Sequence, residues 1–156
     1  KGQEDATLGE ELEAVDNYIY ILNVRFAGDI HFNKDVDESL ENVRVPSMIL
    51  QPVVENAVNH GIRDIEWEGK IHLTVTGDAD YIRISVKDNG KGMTPEQIES
   101  VLSGNKEHCN EQSDSTGIGM NNVISRLELY YEEPGLVEIN SDGENKGTEV
   151  VIYIPV

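Results

Sequence analysis

Two neighbouring segments with a period of two place the strongest constraint on the fold. Residues 70–77, KIHLTVTG, and residues 81–88, YIRISVKD, alternate apolar and polar side chains. Because successive side chains of a strand point to opposite faces, each segment predicts a strand with one buried face. The intervening GDAD has turn composition, so we predict a hairpin. Residues 136–142 and 148–155 predict two more strands, joined by the turn GENKG.

The segments between these strands predict helices that cover one face of such a sheet. Apolar residues at steps of three and four predict a long amphipathic helix near the N-terminus and shorter helices further on. Residues 29–33 alternate like a short strand, and the acidic residues 34–42 predict a loop. The predicted fold class is therefore α+β, with helices on one face of a mixed, mostly antiparallel sheet. The predicted helices are 8–26, 47–60, 94–104 and 117–131.

Composition limits the partners of the chain. Its 156 residues suit one domain, and its net charge of −18 argues against a nucleic-acid partner. No apolar run approaches the roughly 18 residues of a membrane span, and no signal peptide is visible, so we expect no membrane contact by this domain. A single cysteine cannot form an internal disulfide, which fits a reducing compartment. We therefore expect a cytoplasmic location.

The stretch LQPVVENAVNHGI, residues 50–62, carries more polar side chains than a core helix needs. Glu55, Asn56, Asn59 and His60 fall within two turns. The amide oxygen of Asn56 can bind Mg²⁺ without adding charge, since hard cations prefer oxygen ligands. Alternatively, Asn56 could cap or bridge turns, and His60 could be a C-terminal helix residue favoured by the helix dipole.

Three glycine-bearing segments accompany this helix: DNGKGM at 88–93, TGIGMNN at 116–122 and KGT at 146–148. Glycines let backbone N–H groups approach phosphate oxygens closely, above all at the start of a helix. Asp88, at the end of a buried strand, could accept a hydrogen bond from the exocyclic amine of adenine. Each segment alone could be an ordinary turn. Together, beside an asparagine-rich helix, they indicate a nucleotide site.

The order of these motifs resembles a known family. PxxxLQPxVENAxxHG, DNGxGM, TGIGMNNVxxRL and GTxVxIxIP follow one another as in the ATP-binding catalytic domain of sensor histidine kinases, most closely the LytS/YesM-like subgroup. The resemblance covers about residues 8–156. It implies the Bergerat two-layer α/β sandwich of the GHKL superfamily. It also implies that residues 1–27 are the end of a linker or acceptor-domain helix and that residues 28–156 are the ATP-binding catalytic domain.

The resemblance implies roles for individual residues. Asp88 should bind adenine with support from Thr148, Asn56 should bind Mg²⁺, and Glu55 should have a polar or acid–base role at transfer. A basic residue is common where Asn59 stands, and residues 104–116 should form a lid that lacks an aromatic anchor. Residues expected to contact the nucleotide are Asn56, Asn59, His60, Asp88, Gly90, Gly92, Met93, Thr116, Gly117, Ile118, Gly119, Met120 and Thr148. Both methionines could instead pack in the core or the lid.

The implied reaction is transfer of the ATP γ-phosphate to a histidine on an acceptor-helix domain absent from this chain, with ATP and Mg²⁺ as cofactors and a response regulator as a later partner. ATPases of the same fold resemble one another in carrying a water-activating glutamate where this chain has Pro52. That difference favours a kinase, because an imidazole already carries a nucleophilic lone pair. The alternative is a nucleotide-binding regulatory module of the same fold without transfer activity.

The acceptor histidine is expected to lie outside the chain. His31-Phe32-Asn33 is close to the subgroup's His-Phe-x-x-Asn acceptor motif. Its spacing is wrong, however, and the alternation of residues 29–33 predicts a strand rather than a helix. We therefore expect the isolated chain to bind ATP without phosphorylating itself.

Overall fold

The computed structural model describes residues 5–25, 30–103 and 114–156, with the side chains of residues 114–118 excepted. Within these ranges the α-helices are α1 Leu8–Arg25, α2 Leu50–Asn56, α3 Pro95–Ser103 and α4 Asp114–Tyr131. The strands of the same ranges are β1 Asp5–Thr7, β2 Ile30–Val36, β3 Arg44–Pro46, β4 Gly69–Gly77, β5 Tyr81–Asp88, β6 Val137–Asn140 and β7 Thr148–Pro155. A short 3₁₀ helix spans Glu38–Leu40, and a π-helical turn, Ala57–Ile62, continues α2.

The main sheet has five strands in the order β2-β4-β5-β7-β6. Strands β2 and β4 are parallel, and every other neighbouring pair is antiparallel. The predicted hairpin of β4 and β5 is confirmed, and so is the α+β class with a mixed, mostly antiparallel sheet. A separate two-stranded sheet pairs β1 with β3.

One face of the main sheet is buried and the other is polar. On the buried face, the apolar side chains of β4, β5 and β7 meet the inner sides of the helices. The outer face carries side chains such as Arg83, Lys87 and Glu149. Burying each large aliphatic side chain stabilises the fold by roughly 1.5–3 kcal/mol. The largest fully buried aliphatic side chains are Leu8, Ile49, Leu50, Ile71, Leu73, Ile82, Ile84, Leu127, Ile152 and Ile154.

Several predicted boundaries were wrong. Strand β2 runs on to Val36, into the stretch predicted as an acidic loop, because it pairs with β4 as far as Val36 opposite Val75. Helix α4 begins at Asp114, three residues before the predicted start at Gly117. The pairing of β1 with β3 was not predicted, since three-residue strands show too little alternation. Among the described residues, no helix combines the length and apolarity that a bilayer crossing requires.

The π-helical turn changes which residues of the α2 segment share a face. The N–H of Arg63 donates to the carbonyl of Val58, five residues earlier, at 3.0 Å. In a regular α-helix, Asn56 and Gly61 would point about 140° apart, because each residue turns the helix by about 100°. The wider i-to-i+5 turn brings positions five apart to the same side. Asn56 and Gly61 can therefore face one cavity.

Candidate nucleotide-binding site

An open cavity of about 1090 Å³ lies at the end of the sheet where β5 finishes. One wall comes from α2 and its π-helical turn, with Asn56, His60 and Gly61. The loop that follows contributes residues 64–67, and the start of α3 forms the opposite side. The floor holds Asp88 and Thr148, the last residue of β5 and the first of β7. Two motifs far apart in sequence thus meet at one cavity.

Asp88 occupies a position that the strand alternation would normally give to an apolar side chain. It lies in register with Ile71 on β4 and Thr148 on β7, and it is only 6% exposed. Burial raises the pKa of Asp88 to about 6, and hydrogen bonds from the backbone N–H groups of Gly90 and Thr148 oppose that shift. The Gly90 N–H lies 2.8 Å from Oδ1. At neutral pH Asp88 is an ionised, buried hydrogen-bond acceptor facing the cavity.

Close backbone contacts around Asp88 explain the glycines nearby. A Cβ at Gly61 would lie 2.8 Å from the Asp88 carboxyl carbon, and one at Gly90 would lie 2.0 Å from the Gly61 carbonyl oxygen. Gly147 has a φ of +80°, and a Cβ there would lie 2.3 Å from the Asp88 carbonyl oxygen. Such approaches exclude any side chain. The predicted helix 47–60 ends just before Gly61, and the contact of Gly61 with Asp88 is what requires glycine at this position.

Two further side chains that sequence reasoning did not assign to the site support it. The Ser141 hydroxyl donates to the Gly147 carbonyl at 2.6 Å and accepts from the Met93 N–H at 3.0 Å. Ser141 therefore ties the two glycine segments on either side of the cavity together. The indole N–H of Trp67 donates to the Asn89 carbonyl at 2.6 Å, and Trp67 lines the cavity. An isolated serine in a loop gives no sequence signal for such a role.

Asn56 is a second polar side chain that lines the cavity. Its Oδ1 is buried and accepts no hydrogen bond from the described residues. A buried amide oxygen without a donor is costly unless a ligand supplies the missing interaction, so this oxygen fits a hard cation such as Mg²⁺. The adjacent His60 has its pKa lowered by burial and by the positive charges of Lys91 and Arg63, so it is neutral at pH 7.

The cavity wall is strongly acidic. Among the described lining residues, Lys91 is the one lysine or arginine, whereas five carry carboxylates. A triphosphate would meet net repulsion here unless a cation offset its charge. The five carboxylates are Asp64, Glu66, Asp88, Glu96 and Glu144.

The structure does not bring every predicted residue to this cavity. Glu55 is half-buried on α2, accepts a hydrogen bond from Gln51 Nε2 at 2.9 Å, and is not among the described lining residues. Asn59 is exposed and also lies off the cavity. Met120 is 1% exposed and packs within the core, in agreement with its core alternative. Met93 and Gly92 do line the cavity, and Gly90 lies behind it against Gly61.

The second glycine segment lies in α4 rather than before it. Because the helix begins at Asp114, Thr116, Gly117, Ile118 and Gly119 are all helical, and the two glycines do not open it as predicted. A Cβ at Gly119 would meet nothing within 4 Å, so no close contact requires glycine there. The predicted lid, 104–116, lies outside the described residues up to 113, and its last three residues are helical.

Comparison with known proteins defines the class. A family model described as histidine kinase-, DNA gyrase B-, and HSP90-like ATPase matches residues 44–156, so the chain belongs to that family. Over 155 residues it is 34% identical to the sensor histidine kinase YpdA of Escherichia coli strain K12, and over 149 residues it is 31% identical to the sensor histidine kinase YesM of Bacillus subtilis strain 168. These alignments cover 99% and 96% of this chain but 25% and 24% of the relatives. The chain thus spans about a quarter of each relative.

Solved structures agree on the fold. The catalytic domain of histidine kinase ThkA superposes with a TM-score of 0.70 at 22% identity, covering 99% of this chain and 96% of that one. The mycobacterial sensor histidine kinase MprB gives a TM-score of 0.68 at 17% identity, covering 98% and 97%. Family, relatives and fold together identify the ATP-binding catalytic domain of the sensor histidine kinase type. The predicted resemblance is confirmed.

Proposed function

We propose that the cavity binds Mg-ATP, with adenine at Asp88 and the metal-bound triphosphate at Asn56. One observation carries the proposal: a buried ionised carboxylate and a buried amide oxygen without a donor face the same cavity. The first accepts hydrogen bonds only, and the second suits a cation. An adenine nucleotide offers an amine donor to the carboxylate, and its bound metal ion offers a cation to the amide oxygen.

At the base end, Asp88 accepts a hydrogen bond from the exocyclic amine of adenine. A hydrogen bond to a charged group contributes about 1.5–3 kcal/mol. Thr148 is buried beside Asp88, and its backbone N–H already donates to the carboxylate. Asp88 is therefore held in place before the base arrives.

At the phosphate end, Asn56 holds Mg²⁺ through Oδ1. When bound, the metal offsets the charge of the triphosphate. The acidic lining supports this assignment, since carboxylates outnumber Lys91 among the described lining residues. Neutral His60 adds no positive charge at pH 7. Asn59 is exposed on the same helical segment, and contacts to the nucleotide from Asn59, His60, Met93 and the α4 residues Thr116 to Met120 stay predictions.

In the full-length protein we propose that this domain transfers the γ-phosphate to a histidine on an acceptor-helix domain outside residues 1–156, and that a response regulator then takes the phosphate. Residues 1–27 would belong to the linker and residues 28–156 to the catalytic domain, on the cytoplasmic side of a membrane-anchored sensor. The relatives named sensor histidine kinases support this reading. A polar role of Glu55 at transfer also stays a prediction.

Binding is tested by calorimetric titration of Mg-ATP into the native chain, Asp88→Asn and Glu149→Gln. Glu149 is a matched control because it lies on the neighbouring strand but on the outer face of the sheet. We expect affinity to fall by roughly 10- to 100-fold in Asp88→Asn, as loss of a charged hydrogen bond requires, and to stay within about twofold in Glu149→Gln. Equal binding by all three variants would contradict the adenine assignment.

Transfer is tested by mixing the chain, radiolabelled ATP and the acceptor-helix domain of its parent protein. A kinase domain labels the acceptor histidine, and the regulatory module leaves it unlabelled. His31 lies in β2, paired with β4 and 2.8 Å from Glu68 through Nε2, rather than on an acceptor helix. Stable label on His31 in the isolated chain would contradict the proposal that the acceptor lies elsewhere.

A further inference from the structure

Glu11 is a buried carboxylate that nothing in the proposed reaction uses. It lies on α1, is 6% exposed, and accepts three backbone hydrogen bonds from the start of α2. The N–H of Met48 lies 2.9 Å from Oε2, and those of Ile49 and Leu50 lie 2.9 and 3.1 Å from Oε1. These donors are 37 to 39 residues away in sequence. A side chain of α1 thus occupies the place of a helix cap for α2.

Helix α2 needs this distant cap because it has no local one. The residue preceding it, Ile49, makes no side-chain cap hydrogen bond. The first N–H groups of a helix have no intrahelical acceptor, and the helix dipole makes that end positive. An ionised carboxylate satisfies both conditions. Met48 also has a φ of +62°, which non-glycine residues rarely adopt, and its N–H is one of the three donors.

The same α1 helix reaches the other end of α2. Tyr18, seven residues after Glu11, is half-buried next to Glu55, whose negative charge helps to raise the pKa of the tyrosine to about 12 after the larger effect of burial. Between these contacts α1 packs against α2 with its buried apolar side. Helix α1 therefore contacts α2 both at its start, through Glu11, and next to Asn56, through Tyr18.

The two ends of the α2 segment are held by different contacts. Its C-terminal end is fixed against Asp88 by the close approach of Gly61. Its N-terminal end depends on Glu11, because the described hydrogen bonds of Met48, Ile49 and Leu50 N–H all go to that carboxylate. Asn56 lies between these two points. Loss of the Glu11 contacts would free the segment on the Asn56 side while the Asp88 side stays anchored.

We propose that Glu11 is a positioning residue for Asn56: by capping α2 from α1, it sets where the Asn56 amide oxygen stands in the cavity, so a shift of α1 changes the metal-dependent part of nucleotide binding. The inference rests on the proposed Mg-ATP site for its ligand. It gives α1 a direct connection to the phosphate end of that site and leaves the adenine end independent.

The test compares Glu11→Gln with Glu13→Gln, an exposed glutamate two residues away on the same helix. ATP affinity is measured by calorimetry in Mg²⁺ and in EDTA. The ratio of these two affinities is the gain in affinity due to the metal. In Glu11→Gln we expect that gain to fall about tenfold, towards the value for Asn56→Ala, while affinity in EDTA stays within twofold. Glu13→Gln should match the native chain. An unchanged gain in Glu11→Gln, or an equal loss with and without Mg²⁺, would overturn the proposal.

Hydrogen exchange of the nucleotide-free chain gives a second, ligand-independent measurement. The amides of Met48 to Leu50 should exchange at least tenfold faster in Glu11→Gln, whereas Gly90 N–H, bound to Asp88, should be unchanged. Unchanged protection at residues 48–50 would overturn the capping role. If the native chain bound no nucleotide, the proposed function would be contradicted. The exchange rates of residues 48–50 would still test whether Glu11 caps α2. Should Glu11→Gln not fold, Glu11→Asp, charged but one methylene shorter, replaces it with a smaller loss expected in both measurements.

Discussion

The two faces of the central sheet carry carboxylates in very different states. Asp88 and Glu149 lie on adjoining strands, and each is one residue from direct register with the other. Asp88 points into the covered face, where burial raises its pKa to about 6. Glu149 points outward, accepts a hydrogen bond from the Ser85 hydroxyl at 2.6 Å, and lies 3.6 Å from Arg83. Glu149 has polar partners within the protein, whereas Asp88 has backbone donors and an open cavity.

The difference shows that the position of a carboxylate on a strand decides whether it can serve as a buried binding group. Alternation decides which face a residue occupies, and the covered face normally excludes charge. Asp88 is tolerated there because it is the last residue of β5 and borders the cavity. Its burial withholds water from the carboxylate, so a ligand donor gains a strong acceptor. The same group on the outer face would bind solvent.

The close packing behind Asp88 should give the largest effect on stability. We expect Gly90→Ala to lower the free energy of unfolding by about 3 kcal/mol, at the upper end of overpacking costs, because its Cβ would lie 2.0 Å from the Gly61 carbonyl oxygen. Gly77→Ala, at the other end of β4, is the control, since its nearest neighbour is the end of the Leu40 side chain at 3.2 Å. Urea unfolding measures both. Equal losses of unfolding free energy in the two variants would show that the sheet is packed no more tightly around Asp88 than elsewhere.

Removing the buried charge should stabilise the domain at neutral pH. The folded-state pKa of Asp88 is raised from 3.8 to about 6, so the folded chain holds this proton more tightly than the unfolded chain. The contribution of Asp88 to native stability therefore falls as pH rises from about 4 to about 6, by up to about 3 kcal/mol. We expect Asp88→Asn to lack this loss and to be more stable at pH 7. Unfolding at pH 4.5 and 7.5 tests this, and Glu149→Gln should follow the native chain.

Nucleotide affinity should respond to the same titration in the opposite direction. Below pH 6 Asp88 becomes mostly protonated and loses acceptor capacity, so we expect Mg-ATP affinity to fall about fivefold from pH 6 to pH 5. Trp67, the single tryptophan, lines the cavity and provides a fluorescence signal for the titration. Asp88→Asn should bind weakly with little change over this range. If the affinity of the native chain for Mg-ATP did not change between pH 5 and pH 7, the role of Asp88 in binding would be contradicted.

Two serines extend the comparison to smaller effects. Ser141→Ala removes the link between Gly147 and Met93, and we expect it to weaken nucleotide binding about fivefold, corresponding to about 1 kcal/mol for one hydrogen bond. Ser85→Ala removes a hydrogen bond to Glu149 on the outer face and should leave affinity unchanged. Calorimetric titration of Mg-ATP into both variants measures the two affinities. An equal loss in the two would show that binding senses general loosening of the sheet rather than the Ser141 link.

Much of the fold was predictable because its signals are local. Period-two alternation located β4, β5 and β7 and placed Asp88 at a strand end. Helical periodicity located α1 and α3, and Thr94 caps α3 by accepting the N–H of Gln97 at 3.1 Å. Motif order gave the family. These features depend on residues within a few positions of one another.

What could not be predicted depends on contacts between distant residues. The extension of β2 comes from its partner β4, and the roles of Glu11 and Ser141 come from backbone groups that the fold brings to them. The start of α4 was misplaced because glycines normally stand outside a helix, and Gly119 stands inside it without a close neighbour. The π-helical turn was not predicted either, because it is defined by backbone hydrogen bonds such as the one from Arg63 to Val58 rather than by a side-chain signal.

That turn makes the site depend on a residue count. The segment from Asn56 to Gly61 contains one residue more than a regular helical repeat would place between two groups on the same face. If the same six residues were wound as a regular α-helix, Asn56 and Gly61 would stand about 140° apart. Any change that straightens this stretch at constant length would therefore separate the two groups. The spacing between Asn56 and Gly61 belongs to the site as much as either residue does.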